Sequence, residues 1–314
     1  MAKPASAAPP QFTFRTEISD AGKFTHHYAK ALSGLKQDYY LGYEAKYLSN
    51  LGLAQSVKRL APVGAQKYDP ADYSAEGYWA NLIVPTATGE SALWFERINT
   101  YDRAAFTFGF FQAAAHYPGD NFILLFKDML ARPEGATWFP DLKLKPQGSG
   151  TRLYQVTATG DLDLEHEEMA GSEPNLKRFM AYLNPTLAKV EPGELSVAAR
   201  MMQWTREVPE CRKLQVKHAI VGLKSRMKLF KTELAGRAVD QCLLAADVRY
   251  QGRGLQSEIR AALKTEKPYD ALLKLGADKH GPRIATVDKA IQALMKDAVI
   301  SKLRFDSTSA TLFK

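Results

Sequence analysis

The residues best placed to do chemistry lie in one stretch, GESALWFERINTYDRAAFTFGFFQAAAHYPGD, from Gly89 to Asp120. Glu90 sits at the end of an apolar, helix-like run, and Asp102 follows it by twelve residues in the polar turn Asn99-Thr100-Tyr101-Asp102. Thr107 stands five residues beyond the aspartate. Two carboxyls separated by a short hairpin are what hydrolysis of a glycosidic bond requires. One carboxyl stays protonated in an apolar setting and donates to the leaving oxygen, while the other stays ionised beside a water. Glu90 is flanked by Thr88-Gly89 and Ser91-Ala92-Leu93-Trp94. Such small and apolar neighbours favour the desolvation that raises a carboxyl pKa. Glu96 is the competing acid, but it adjoins Arg97 and lies near Arg103, and an ion-paired glutamate is a poor proton donor at neutral pH.

Two motifs in this stretch carry a resemblance. Glu90-Ser91-Ala92-Leu93-Trp94, with Gly109-Phe110-Phe111-Gln112 beginning nineteen residues after the glutamate, is similar to the Glu-Ser…Gly-Leu-Met-Gln signature of lytic transglycosylases and goose-type lysozymes. Tyr101-Asp102-Arg103-Ala104-Ala105-Phe106-Thr107, followed by Gly119-Asp120, resembles the Asp-Gly-Arg-Gly-Tyr-Thr…Gly-Asp run of bacterial chitosanases. The two glycines that flank the arginine in chitosanases are missing here. A fainter likeness lies at Asp247-Val248-Arg249-Tyr250-Gln251-Gly252-Arg253-Gly254, where chitosanases have an aspartate-bearing helix end that braces the active site. The resemblance implies a lysozyme-like superfamily hydrolase with Glu90 as acid, Asp102 as base and Thr107 as anchor of the water. It also implies that Gln112 lines the cleft. Tyr101, Phe110 and Tyr117, with Phe95 and Phe108, supply aromatic surface for sugar rings. No cofactor and no metal is implied.

Other candidates are weaker. Asp161, Asp163, Glu165, His166, Glu167 and Glu168 lack the glycine and fixed spacing of a calcium loop, and a solvated acidic loop is expected. His26, His27 and His218 have no partner at metal-ligand spacing. Ser91 is not in a Gly-x-Ser-x-Gly elbow, and Gln251-Gly252-Arg253-Gly254 lacks the Gly-Lys-Ser/Thr of a phosphate loop. The basic stretch Lys213 to Lys231 reads as a solvated helix face, without an element that would read nucleic acid. Cys211 and Cys242 form neither a zinc motif nor a redox pair, and two buried thiols are expected, with a bridge left open.

The elements that must position these residues follow from periodicity. The chain has 314 residues, of which 46% are hydrophobic and 24% charged, enough for a substantial core. Ala/Pro-rich residues 1–12 read as a flexible arm, and residues 13–314 as one bilobed catalytic domain. Phe24, Tyr28 and Leu32, then Tyr43, Tyr47 and Leu51, suggest amphipathic helices between Ile18 and Pro62. A helix starts after Asp69-Pro70, and Pro85 interrupts the run toward Trp94. A small sheet is expected around 95–112, a helix over Phe122 to Leu130, a strand over Arg152 to Thr157, and a helical lobe over about 174–300. The expected fold is mostly α with a small hairpin sheet beside the cleft, in the lysozyme-like manner implied by the resemblance.

The net charge of +8 favours an anionic partner and opposes cationic chitosan. Peptidoglycan is therefore the expected substrate, chitosan the enzymatic alternative, and a non-catalytic wall-binding or virion protein the other alternative. Neither a signal-peptide core nor a run long enough to span a membrane is visible. The expectation is synthesis in the cytoplasm and action in the periplasm or wall after release or delivery, with no delivery or immunity partner specified.

Overall fold

The computed structural model describes residues 9–19, 22–34, 37–171 and 173–313, so most of the expected arm lies outside the described residues. The chain divides into two units that interleave in sequence. The first comprises the segments up to Lys67 and from Trp94 to Gln215, and the second Tyr68–Leu93 and everything from Val216 onward.

The first unit is built on a seven-stranded antiparallel sheet whose spatial order follows the chain. Its strands are β1 (Phe12–Ser19), β2 (Phe24–Ala31), β3 (Asp38–Tyr47), β4 (Asn50–Ala54), β5 (Ile98–Asn99), β6 (Thr107–Phe108) and β7 (Ala113–Ala114). This corrects the mostly helical, lysozyme-like expectation: with 45% helix and 23% strand the chain is mixed α/β. The physical reason lies in the spacing. Phe24, Tyr28 and Leu32 recur every four residues, which matches one helix face but is also twice the period of a strand. The Tyr-rich run Asp38-Tyr39-Tyr40-Leu41-Gly42-Tyr43 supplies the aromatic content that favours a pleated surface.

The hairpin expected around 95–112 exists as β5 and β6, which pair through Ile98↔Phe108 and Asn99↔Thr107. It is the end of the large sheet and not a separate small one. One face of that sheet carries Ala29, Tyr39, Leu53, Ile98, Phe108 and Ala113 into a core completed by the helices Phe122–Leu130, Lys177–Leu183 and Pro192–Glu207. The opposite face carries one row in register across all seven strands, Glu17, His26, Tyr43, Ala54, Asn99, Thr107 and Ala114. A bulge between β2 and β3 shifts the pairing from His27↔Gly42 to Tyr28↔Tyr40 and so aims both Tyr40 and Tyr43 at this second face. Gly42 takes φ +146° there, and a Cβ would stand 2.9 Å from the Ala54 carbonyl oxygen.

The acidic stretch is only in part a solvated loop: His166 and Glu167 are exposed outside the strands, but its other carboxylates are paired. Asp161 pairs with Lys143 and Lys145, Asp163 with Arg152, and Glu165 with Lys127, around the meander Leu142–Gln147, Gly150–Thr157 and Gly160–Asp163.

The second unit is helical apart from the hairpin Arg304–Asp306/Thr311–Phe313. Pro85 does interrupt the early run, leaving Trp79–Leu82 and Val84–Ser91 as two short helices. Within the expected helical lobe the chain forms Pro209–Lys228, Lys231–Leu234 and Val239–Gln251, with Gly236 at φ +70° in the last gap. Gln256–Leu263, Pro268–Lys274 and Ala277–Leu294 complete the unit. Among the described residues no helix is long and apolar enough to cross a membrane. Cys211 and Cys242 are buried free thiols, one in each unit.

Candidate active site

Glu90 lies on the last turn of Val84–Ser91, a helix that stops because Ala92 and Leu93 both take positive φ. Its neighbour Gly89 has a packing duty. A Cβ there would stand 2.7 Å from Val287 Cγ2 and 3.4 Å from Arg283 Cγ, so the glycine lets Val84–Ser91 lie directly on Ala277–Leu294. That close approach brings Arg283 to Glu90, with Nη2 donating to Oε1 at 2.7 Å. Ala277–Leu294 is not helical throughout. His280 departs from helical φ/ψ and Pro282 follows, so Arg283 falls in the first turn of the regular part.

Arg283 is itself gripped. Its Nη1 and Nη2 each donate to Asp247, both at 2.9 Å, and Nη1 also donates to Gln251 Oε1 at 2.8 Å. Asp247 is fully buried on Val239–Gln251 and accepts a further bond from Thr86 Oγ1 at 3.0 Å. Arg253 approaches Asp247 Oδ2 at 3.8 Å and is anchored by Nη1 to the Leu272 and Leu275 carbonyls. The cluster therefore holds two carboxylates and two guanidiniums. The segment Asp247 to Gly254 contributes Asp247, Gln251 and Arg253, and Gly252 ends the helix at φ +74°.

Burial pushes the Glu90 pKa up, Arg283 pulls it down and Asp247 adds to the rise. Burial works against the Arg283 cation, yet Glu90 and Asp247 outweigh it and leave the guanidinium firmly charged. Asp247 takes the bidentate contact with Arg283, so the one guanidinium is shared between two carboxyls. The Glu90 side chain remains 17% exposed.

Glu96 is different. Its side chain is fully enclosed, with Arg206 Nε donating to Oε1 at 3.1 Å and the Gln66 amide donating to the same oxygen at 3.0 Å. Burial raises its pKa against the pull of Arg206. A carboxyl closed off in this way has no access to a substrate, which removes Glu96 as an alternative acid. Its partner is Arg206, not the Arg97 or Arg103 that sequence proximity suggests.

In the first unit Asp102 and Thr107 are joined through Asn99. Asn99 Nδ2 donates to Asp102 Oδ2 at 3.1 Å, its Oδ1 accepts from the Tyr101 amide at 3.2 Å, and its carbonyl accepts from Thr107 Oγ1 at 3.3 Å. Asp102 Oδ1 accepts from the Ala104 amide at 2.9 Å. Burial raises the Asp102 pKa, opposed by these donors and Arg103. Thr107 also donates to Gln112 Oε1 at 3.3 Å, and Gln112, at φ +48°, returns its amide to the Gly109 carbonyl. Asp102, Asn99, Thr107 and Gln112 thus form one hydrogen-bonded chain.

The aromatic assignments need correction. Phe110 is fully buried against Phe95 and Phe111, and Phe108 is equally enclosed, so neither offers a surface to a sugar. Tyr101 and Tyr117 are half-buried, and Tyr117 receives Arg103 Nη2 at 3.3 Å. Ser91 returns its hydroxyl to the Ala87 carbonyl at 3.1 Å.

The sequence reading missed Arg283, Asn99 as a hub, and Glu194. Arg283 is 193 residues from Glu90, and only the local string Gly281-Pro282-Arg283, a helix restart with a cation in its first turn, marks it. Glu194, after Pro192-Gly193, is fully buried. It accepts from Thr100 Oγ1, and burial pushes its pKa up to about 7. No protein-family model, no curated protein and no solved structure matches the chain.

Proposed function

We propose that the chain hydrolyses β-1,4 bonds of an amino-sugar polymer, the glycan strand of bacterial peptidoglycan, with Glu90 as proton donor. The observation that carries this reading is the setting of Glu90. Among Glu90, Glu96 and Asp102, it alone combines a pKa raised by burial, partial exposure and a carboxyl fixed by a guanidinium whose charge is shared with a second carboxylate. A general acid has to be protonated near neutral pH, held in place and reachable. Asp102, with Thr107 and Asn99, takes the water-handling role. The net charge of +8 supports an anionic polymer.

A second reading, chitosan, is favoured by a specific contact. The chitosanase likeness at Asp247 to Gly254 calls for an aspartate bracing the acid, and Asp247 reaches Glu90 through one guanidinium. The test is clearance of purified Gram-negative cell walls by wild type beside Glu90→Gln, with chitosan as the parallel substrate. Glu90→Gln should fold normally and lose about 10²–10⁴-fold in rate, the contribution of a positioned acid. Near-normal clearance by that variant would end the reading. Wall products should carry new reducing ends, whereas 1,6-anhydro ends would remove Asp102 from the reaction. Chitosan cleavage without wall activity would give the second reading the substrate.

A further inference from the structure

Among the described residues of the first unit, Arg97 is a half-buried cation whose charge no carboxylate balances. It lies two residues before Asn99 on the same strand direction, so alternation places both on the face that carries Tyr43 and Thr107. The ladder reaches this residue, since the Gly109 amide donates to the Arg97 carbonyl at 2.9 Å. Its Nη1 donates to the Gln55 carbonyl, and its Nε is buried without a partner. No carboxylate pairs with it among the described residues, and the ionisable groups that bear on it are the hydroxyls of Tyr101, Tyr43 and Tyr40. Burial lowers its pKa. The contrast with Arg206 is direct. That arginine, in the same unit, is buried, but it holds Glu96 and donates to Gln37 and the Val63 carbonyl.

A half-buried guanidinium without a counter-charge is costly to the fold, and an arriving anion would relieve that cost. Arginine's planar fork suits a carboxylate. Tyr43 and Tyr101 are half-buried and flank it with aromatic bodies and polar tips, a setting that suits a sugar ring and not a bare ion. Tyr101 adjoins Asp102, which places this group beside the water-handling chain.

We propose that Arg97, Tyr43 and Tyr101 form a subsite for a carboxylate carried on a saccharide, specifically the lactyl carboxylate of a muramyl residue where it is free of peptide. This rests on the peptidoglycan reading for the identity of the polymer, and it supplies a reason for that polymer beyond net charge. Chitosan has no such carboxylate.

The experiment compares N-acetylmuramic acid with N-acetylglucosamine, which share the ring and acetamido group and differ in the lactyl ether. Binding to the full chain is followed by ligand-observed NMR for wild type, Glu90→Gln, Arg97→Gln and Arg97→Lys. Wild type and Glu90→Gln should prefer N-acetylmuramic acid by about tenfold or more, the worth of a charge-assisted contact. Arg97→Gln should bind the two sugars alike, and Arg97→Lys should keep part of the preference because it keeps the charge. The unfolding midpoint of each variant, measured alongside, checks that the sheet is intact. Equal binding of the two sugars by wild type, or an undiminished preference in Arg97→Gln, would overturn the subsite. Free lactate binding as tightly as N-acetylmuramic acid would overturn its saccharide half. A subsite that behaves as expected in a protein unable to clear walls would instead count against the hydrolase reading alone.

Discussion

Glu194→Gln is expected to stabilise the protein at pH 8 and to leave it unchanged at pH 4. Glu194 is fully buried, its Oε1 accepts from Thr100, and its Oε2 has no partner. Among the described residues no cation offsets the burial, and the pKa rises from 4.5 to about 7. A carboxyl whose pKa is raised on folding favours the native state in its protonated form. Its contribution is therefore complete below the unfolded pKa and is lost as pH rises through about 7. At about 1.36 kcal/mol per pKa unit, the shift makes the ionised form about 3 kcal/mol less favourable to folding at pH 8 than the neutral form. Glutamine imitates the neutral form and can still accept from Thr100. Urea unfolding of wild type and Glu194→Gln across pH 4 to 8 measures this directly. The curves should coincide near pH 4 and diverge through neutrality, with the variant more stable by up to about 3 kcal/mol. A variant less stable at pH 8, or a difference independent of pH, would refute the reasoning and show that Glu194 is ionised and well solvated in the folded state.

Three further perturbations address the site itself. Arg283→Met breaks a buried cluster and should cost about 3–5 kcal/mol in urea unfolding, less at pH 5 than at pH 8 because Glu90 can then take up a proton; a deficit equal at both pH values would sink this account of Glu90. Gly89→Ala places a methyl against Val287 Cγ2 and should cost about 1–3 kcal/mol, with Val287→Ala in the same chain recovering part of the midpoint. No recovery would mean that the helices are not held apart by that contact. Asp102→Asn should be severe for wall clearance and Thr107→Ala milder, by about one to two orders of magnitude, while unaffected clearance in both would leave the Asn99 chain a purely structural feature.

The parts of the fold that were legible in sequence are those where one local signal dominates. Gly119-Asp120 before an apolar run gave the helix Phe122–Leu130, and Pro85 marked a true interruption. The large sheet was hidden because a four-residue spacing serves either period, and because β5, β6 and β7 are two residues long, too short to show alternation. For the proposed site, Glu90 was singled out by its flanks, and Asp102 and Thr107 by the chitosanase likeness. Arg283 was not, since the close helix contact that Gly89 permits is a tertiary fact. Phe110 was misjudged for the same reason: aromatic residues in a Gly-aromatic-aromatic-Gln string look alike whether they line a groove or fill a core.

The two units handle buried charge in different ways, and the difference has consequences for where function resides. In the second unit two carboxyls, Glu90 and Asp247, lie against two guanidiniums, Arg283 and Arg253, and Arg283 holds Glu90 in place. In the first unit Arg206 is balanced by Glu96, which shows that this fold can pair a buried arginine where nothing else is asked of it. Among the described residues Arg97 and Glu194 have no ionic partner in that same unit, Arg97 beside the strand that carries Asn99 and Glu194 on the hydroxyl of Thr100. Each costs the fold something that a hydrophobic or amide side chain would not. Both border the loop that holds Asp102, Arg97 through the strand that runs into Asn99 and Glu194 through the hydroxyl of Thr100. On the proposed subsite, the cost of leaving these groups uncompensated would be offset by what the loop binds.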